Sequence, residues 1–255
     1  TSGGIGCQFG NPTINNNTIT YTAGGNSTFK GGGISCLGSN ATIYNNIIQG
    51  NVQIGIWDQE SQSSGYTDYI YDNALLGTYS TGGIVTGSTY QTAIAKNNIA
   101  ANCSSNCYVG TFDTSSSNNI SSDTSAPGTG SQTSVATSSV RFVSTASDFI
   151  DLHILDGSVA KDAGADLSAT FKTDIDGAAL RPNGAAYDIG ADEWFSSSPV
   201  YNTAGTFTSG TIDFGGPVNL DALTWNPATQ PVSAGLKFQV AANNDNATWN
   251  YVDLN

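Results

Sequence analysis

The chain has 255 residues, of which only 11% are charged, and its 7 basic and 20 acidic residues give a formal net charge of −13. This balance argues against nucleic-acid and anionic-membrane partners, because binding to phosphate needs clustered Lys and Arg. No apolar run approaches the roughly 18 residues needed to cross a bilayer, so membrane insertion is not expected. The richness in Gly, Ser, Thr and Asn favours short strands joined by turns in a protein that works outside the cell.

A repeat runs through about the first hundred residues. Its glycine-rich unit occurs as Gly4-Ile5-Gly6-Cys7, Gly33-Ile34-Ser35-Cys36, Gly55-Ile56 and Gly82-Gly83-Ile84. A second unit has the form apolar-x-x-Asn-x-apolar, with its Asn at Asn17, Asn46, Asn73 and Asn97, at spacings of 29, 27 and 24 residues. Periods of roughly 20 to 30 residues that contain short strands are typical of solenoids.

These repeats predict a parallel β-helix in which equivalent residues of successive coils stack about 4.8 Å apart. Two interior apolar columns are expected: Ile14, Ile43, Ile70 and Ile94, and Ile19, Ile48, Leu75 and Ile99. Asn17, Asn46, Asn73 and Asn97 are expected to form a hydrogen-bonded ladder at a bend. The alternative is a set of Asn-rich turns that recur by chance.

The four cysteines permit two disulfides. Cys7 and Cys36 share a predicted column one coil apart, which suits either a disulfide or a pair of stacked buried thiols, with the disulfide favoured in an oxidising setting. Cys103 and Cys107 flank a three-residue loop and are expected to pair with each other.

Aromatic and acidic residues of the repeat offer two kinds of candidate site. Trp57, Tyr69 and Tyr71 are candidate platforms for sugar rings, although such residues more often fill a core. Glycosidase chemistry needs two nearby carboxylates, and Asp58 and Asp72 could meet on adjacent coils. Neither lies in a paired-Asp motif, which disfavours catalysis.

Residues 113–140 are rich in Ser, Thr and Gly and predict an irregular excursion from the solenoid. After it, acidic residues crowd into about thirty positions. Asp174, Asp176 and Asp188 are candidate ligands for calcium, which prefers oxygen donors, and no other cofactor is expected. The alternative is structural, with Arg181 pairing with one of these carboxylates. His153 is the only histidine, and apolar Leu152 and Ile154 beside it predict a structural strand.

The repeat units resemble right-handed parallel β-helix, pectin-lyase-like proteins of secreted bacterial origin. The stretches 148–155, 160–164, 174–182 and 187–194 are similar to the block that ends "choice-of-anchor Q" β-helix proteins. The resemblance implies that residues 1–195 form a β-helix closed by this block. It does not choose between adhesins, surface proteins and polysaccharide-degrading enzymes.

Residues 200–255 follow a Ser-rich linker and show the alternation of half-buried strands, as in Leu236, Phe238 and Val240. This part resembles the opening of a discoidin-like or galactose-binding-like β-sandwich that is small or truncated. Trp225 and Trp249 are further candidate sugar-binding residues.

The sequence thus predicts an all-β chain: a right-handed parallel β-helix followed by an antiparallel β-sandwich. We expect an extracellular or cell-surface structural or adhesive protein, with weak carbohydrate binding. A polysaccharide lyase or glycoside hydrolase is the alternative. Because a repeat strand begins at the start of the sequence, we also expect a longer parent chain or head-to-tail self-assembly into a fibre.

Overall fold

The chain divides into two compact units, Thr1–Val200 and Tyr201–Asn255. The computed structural model describes residues 4–21, 31–50, 53–59, 65–87, 91–146, 149–177 and 181–195 of the first unit. Of the second unit it describes residues 211–212, 215–216, 238–241, 243, 247–249 and 252–254. Within these ranges no helix has the length and apolar character that crossing a membrane requires.

The first unit is a parallel β-solenoid built from three sheets. Sheet A has the order β1 (Ile5–Gln8), β4 (Gly31–Leu37), β7 (Ile54–Gln59), β10 (Gly82–Thr86) and β13 (Tyr108–Val109). Sheet B has the order β2 (Thr13–Asn15), β5 (Thr42–Tyr44), β8 (Tyr66–Tyr71) and β11 (Gln91–Lys96). Sheet C has the order β3 (Thr18–Tyr21), β6 (Ile47–Gly50), β9 (Ala74–Leu76), β12 (Ile99–Ala101) and β14 (Ile120–Ser121). Three consecutive strands make one coil, so the first coil is β1–β3, and the fold class expected from the repeats is confirmed.

The glycine-rich unit is explained by close packing of coils inside sheet A. A Cβ atom built on Gly55 would lie 2.6 Å from the carbonyl oxygen of Gly83 and 2.6 Å from Leu75 Cδ2. A Cβ atom on Gly83 would lie 2.8 Å from the carbonyl oxygen of Cys107. Only glycine therefore fits this column, while the neighbouring isoleucines fill the core.

Gly55→Ala is expected to destabilise the protein by about 1–3 kcal/mol, because the added methyl group meets backbone that cannot move aside. Gly6→Ala is the matched control, since it lies in a strand of the same sheet with no atom within 4 Å of the built Cβ. Urea unfolding of both variants tests this expectation. Equal losses would show that the close approach of the coils is not what selects glycine.

The asparagine ladder is present, but its fourth member is Asn98 and the prediction of Asn97 is wrong. The side-chain amide of each member donates to the Oδ1 of the next at 2.9–3.0 Å. The members are Asn17, Asn46, Asn73, Asn98 and Asn119, at separations of 29, 27, 25 and 21 residues. The third interval is one residue longer than the sequence alignment assumed.

The same one-residue difference corrects the predicted apolar columns. Ala95 pairs with Ile70, and Ile94 pairs with Tyr69. Successive side chains of a strand point to opposite faces, so a shift of one residue moves Ile94 to the outside. In sheet C, likewise, Ala100 rather than Ile99 follows Leu75.

Asn97 belongs to a second, outer column of residues with left-handed backbone. Its members are Asn16, Asn45, Asp72, Asn97 and Asn118, with φ between 47° and 57°. Asparagine and aspartate tolerate this conformation better than other residues that carry a Cβ. Each Asn-Asn pair of the repeat therefore combines two roles, an outer residue that turns the chain and an inner residue that joins the ladder.

The outer column binds the segment 163–175, which we call the strap. Asn118 donates to the carbonyl of Ala163, and Asn97 donates to that of Ala165, both at 2.9 Å. In the earlier coils, three further bonds run from Asn45 to Thr173 and from Asn16 to Asp174 and Ile175. The strap thus runs back along the side of the solenoid from the fifth coil to the first, instead of lying over its end as the closing block was expected to do.

Apolar contacts hold the segments that follow the coils, between residues 140 and 191, against the outer faces of sheets B and C. On sheet B, Leu167, Phe171 and Tyr187 pack with Tyr71, and the ring of Tyr44 stacks on that of Phe171. On sheet C, the apolar residues are Ile47, Ala74, Leu76, Ile99, Ala101 and Ile120, packed with Val140, Phe142, Leu152, Ile154, Ala160, Ile189 and Ala191. The outer faces of these sheets are therefore a second core.

The segment expected to be irregular, 113–140, includes regular structure. Strand β14 extends sheet C, and the isolated bridges Ser117–Thr129 and Ile120–Gln132 add further parallel pairing. A short helix, α1 (Thr137–Val140), then leads into the antiparallel hairpin of β15 (Phe142–Ala146) and β16 (Phe149–Ile154).

The cysteines divide into one bonded pair and one stacked pair. Cys103 and Cys107 form the expected disulfide. Cys7 and Cys36 are register partners in adjacent strands and are free thiols, with Cys36 buried and Cys7 half-buried, so the disulfide favoured for this pair is not formed.

In the second unit, the described strands β17 (Phe238–Val240) and β18 (Val252–Leu254) form an antiparallel pair. The remaining strands of the expected sandwich fall outside the described residues.

Candidate metal centre

The hairpin strand β16 presents two polar side chains on one face. Leu152 and Ile154 are buried in the core that covers sheet C. Asp151 and His153 alternate with them and therefore point to the opposite face. The apolar face of β16 is used for packing, so its polar face is the one that can contribute to a binding site.

His153 lies between carboxylates. Its Nδ1 is 2.5 Å from Asp151 Oδ1, and its Nε2 is 3.3 Å from Asp176 Oδ1. One ligand atom each of His153, Asp176 and Asp192 lies within 4.8 Å of the other two. Asp192 is buried and also accepts the N–H of Ile154 at 2.7 Å, while Asp176 is exposed. The cluster is thus open to solvent on the Asp176 side.

A tight turn that follows the strap positions Asp176. Asp174 accepts the N–H of Asp176 on its side chain at 3.0 Å and that of Gly177 on its carbonyl at 3.1 Å. Gly177 has a φ of +76°, which glycine adopts without a steric cost. The Asp-x-Asp-Gly sequence therefore forms a turn and aims its second carboxylate at His153.

The surroundings shift the pKa of His153 upwards. Burial alone would lower this pKa, but the hydrogen bond with Asp151 and the negative charges of Asp192, Asp151 and Asp176 outweigh that effect. Burial likewise raises the pKa of Asp192 to about 6, against the opposing influence of the Ile154 N–H and of His153.

Of the three residues expected to bind calcium, only Asp176 lies in this cluster. Both carboxylate oxygens of Asp188 accept backbone N–H groups, from Asp162 at 2.6 Å and Trp194 at 2.5 Å. Those of Asp174 accept the N–H groups of Asp176 and Glu193. The carboxylates of Asp174 and Asp188 therefore hold turns, and calcium binding by the set Asp174, Asp176 and Asp188 stays a prediction.

A second charged cluster, formed by Arg181, Asp72 and Glu193, is fully buried. The Arg181 Nη1 atom lies 3.3 Å from Asp72 Oδ1 and 3.6 Å from Glu193 Oε2. Arg181 also donates to the carbonyls of Asp188 and Gly190, at 3.2 and 2.9 Å. The sequence predicted an ion pair for Arg181, but with Asp174, Asp176 or Asp188. The actual partner Asp72 comes from the third coil, so this pair ties the end of the first unit to the solenoid.

Burial raises the pKa of Glu193 to about 7, because backbone hydrogen bonds and Arg181 only partly offset the loss of water and the charge of Asp188. Burial also raises the pKa of Asp72 well above its usual range, despite Arg181. Such groups keep their protons longer in the folded protein than in the unfolded chain. They therefore stabilise the fold less as the pH rises.

We expect a lower melting temperature at pH 8 than at pH 5, by several degrees, in buffer with a chelator. The stability that Glu193 contributes begins to fall near its unfolded pKa, about 4.5, and the loss is complete above about 7. The glutamine in Glu193→Gln does not titrate, so this variant is expected to show a smaller difference in melting temperature between pH 5 and pH 8. An unchanged difference in this variant would contradict the assignment to Glu193.

The candidate sugar-binding aromatics do not form one platform. Trp57 is half-buried in sheet A, where it pairs with Ser35 and Val85, whereas Tyr69 is exposed in sheet B. Tyr71 is buried against Leu167 and Phe171 of the strap, so the prediction of a binding role for it is wrong. Trp249 is exposed in the second unit, and Trp225 lies outside the described residues.

The two acidic residues expected to meet on adjacent coils belong to one coil. Asp58 and Asp72 both belong to the third coil, the first in sheet A and the second at the turn after sheet B, and not to adjacent coils. Both are buried, as is Asp68, which accepts hydrogen bonds from Ser39 Oγ and the N–H of Ala41.

Comparisons with protein-family models, curated proteins and solved structures found no match.

Proposed function

We propose that the chain is the structural solenoid of a secreted or cell-surface protein that serves as an adhesive module or fibre subunit. The proposal rests on one observation: the repeated polar residues of the coils form hydrogen bonds within the protein. The inner asparagines of the coils bond to one another, and the outer ones bond to the strap. The repeated polar residues therefore serve the fold, which supports a structural role.

Self-assembly is part of this proposal. In the described part of the chain, strands β1, β2 and β3 are the terminal strands of sheets A, B and C at one end of the solenoid. Such edges offer backbone groups to an added strand. Light scattering and electron microscopy of the protein at increasing concentration are expected to detect elongated assemblies.

Weak carbohydrate binding is proposed for the half-buried Trp57 and the exposed Tyr69. Affinity electrophoresis in gels with acidic or neutral polysaccharides tests it, with Phe9→Ala as a control for loss of an exposed aromatic residue just after β1. Trp57→Ala is expected to lose retardation, and Phe9→Ala to retain it.

The enzymatic alternative is tested on the same polysaccharide panel. The proposal expects the polymers to keep their length. New reducing ends or the absorbance of unsaturated products would overturn it and favour a lyase or hydrolase.

A further inference from the structure

We propose that His153, Asp176 and Asp192 bind a divalent transition-metal ion, with Zn²⁺ as the representative, and that this ion fastens the β15–β16 hairpin to the turn after the strap.

The position of Asp151 defines how His153 presents its second nitrogen. A carboxylate 2.5 Å from Nδ1 makes that nitrogen the hydrogen-bond donor. In the neutral ring, Nε2 is then an unprotonated acceptor. It faces the carboxylate oxygen of Asp176 at 3.3 Å, which is also an acceptor. Two facing acceptors repel each other unless a proton or a cation lies between them.

The same arrangement is the usual support of a metal-binding histidine. A carboxylate on the far nitrogen orients the ring and increases the basicity of the nitrogen that binds the ion. Asp151 is therefore a positioning residue. The N–H of Ile154, which donates to Asp192 Oδ2, orients the second carboxylate in a comparable way.

The ligand types favour a transition metal over calcium. Imidazole suits Zn²⁺ and its neighbours, whereas calcium takes six to eight oxygen ligands. Zinc holds N and O ligands at about 2.0–2.2 Å, which places neighbouring ligand atoms of a tetrahedron about 3.3 Å apart. The His153–Asp176 separation already has this value. Asp176 is exposed, so a water molecule has room for the fourth position.

The three ligands come from separate parts of the first unit. His153 belongs to the hairpin, Asp176 to the turn after the strap, and Asp192 to the segment that packs on sheet C. An ion that binds all three in the folded state, and not in the unfolded chain, raises stability by mass action.

His153 provides a spectroscopic probe without background, because the chain has one histidine. We would strip the full-length, ¹⁵N-labelled protein of metal and record long-range ¹H–¹⁵N spectra of the imidazole during addition of ZnCl₂. One equivalent is expected to move the Nε2 resonance to its metal-bound position and to leave Nδ1 protonated. The melting temperature should rise, and a chelator should reverse both effects, whereas CaCl₂ at the same concentration should cause neither.

Three variants test the ligand set. Asp176→Asn changes an exposed side chain and is expected to weaken Zn²⁺ binding at least tenfold, while Asp151→Asn should weaken it by about 10- to 100-fold. Asp166→Asn is the control, since Asp166 is exposed and its amide replacement can still accept the N–H of Ser168.

Two outcomes would overturn the proposal. The first is an Nε2 resonance that responds to pH but not to Zn²⁺, which would mean that a proton alone bridges the carboxylates. The second is a response to Ca²⁺ equal to that for Zn²⁺. Equal Zn²⁺ affinity in Asp176→Asn and Asp166→Asn would likewise remove Asp176 from the ligand set.

Discussion

Replacement of Arg181 with methionine is expected to lower the free energy of unfolding by about 3–5 kcal/mol, the cost of leaving buried charges without a partner. The guanidinium is fully buried between Asp72 and Glu193 and also serves the carbonyls of Asp188 and Gly190. Urea unfolding monitored by tryptophan fluorescence measures the change.

Two further variants isolate the cause. Lys172→Met removes an exposed positive charge from the same part of the chain and should change stability by less than about 0.5 kcal/mol. Asp72→Asn in the Arg181→Met protein should recover part of the loss, because asparagine occupies the equivalent position in the other four coils. No recovery would indicate that lost packing, and not the unpaired carboxylate, causes the effect.

Asn73→Ala is expected to cost about 3 kcal/mol, since each buried polar group left unpaired costs about 1–3 kcal/mol. The Asn73 amide donates to the carbonyls of Ile43 and Tyr71 and to Asn98 Oδ1. Its own Oδ1 accepts the backbone and side-chain N–H groups of Asn46. The alanine variant breaks the ladder in its middle, removes the Oδ1 acceptor of the Asn46 backbone N–H and leaves the carbonyls of Ile43 and Tyr71 without this donor.

Asn106→Ala is the control for this substitution, because Asn106 is exposed in the disulfide loop. It should shift the unfolding midpoint little. Similar shifts for the two variants would mean that the ladder does not contribute to stability beyond an ordinary surface amide.

The sequence predicted the solenoid because the glycine, isoleucine and asparagine units recur together. It could not give the register of the fourth coil. The third and fourth copies of the asparagine unit fit spacings of 24 and 25 residues almost equally well, since residues 97 and 98 are both asparagine. The two asparagines differ in backbone conformation. Asn97 adopts the left-handed conformation at the turn, and the side chain of Asn98 joins the interior ladder.

The candidate metal centre was only partly predictable. The alternation of Asp151 and His153 with Leu152 and Ile154 showed that both polar residues share one face. It did not show that Asp176 and Asp192 meet them, because those residues are 23 and 39 positions from His153 and approach only through the path of the strap. The turn chemistry of Asp174–Gly177 was recognisable, but the occupation of Asp174 and Asp188 by backbone N–H groups was not.

The strap changes how the solenoid can come apart. In a stack of repeats each unit touches only its neighbours, so the outermost ones can peel away one at a time. Here the strap bonds to the first, second, fourth and fifth coils, and Arg181 pairs with Asp72 of the third. Peeling of the first coil must also detach the strap, and a detached strap exposes the apolar outer face of sheet B, which Leu167 and Phe171 cover. A pull along the axis is therefore resisted by all coils together.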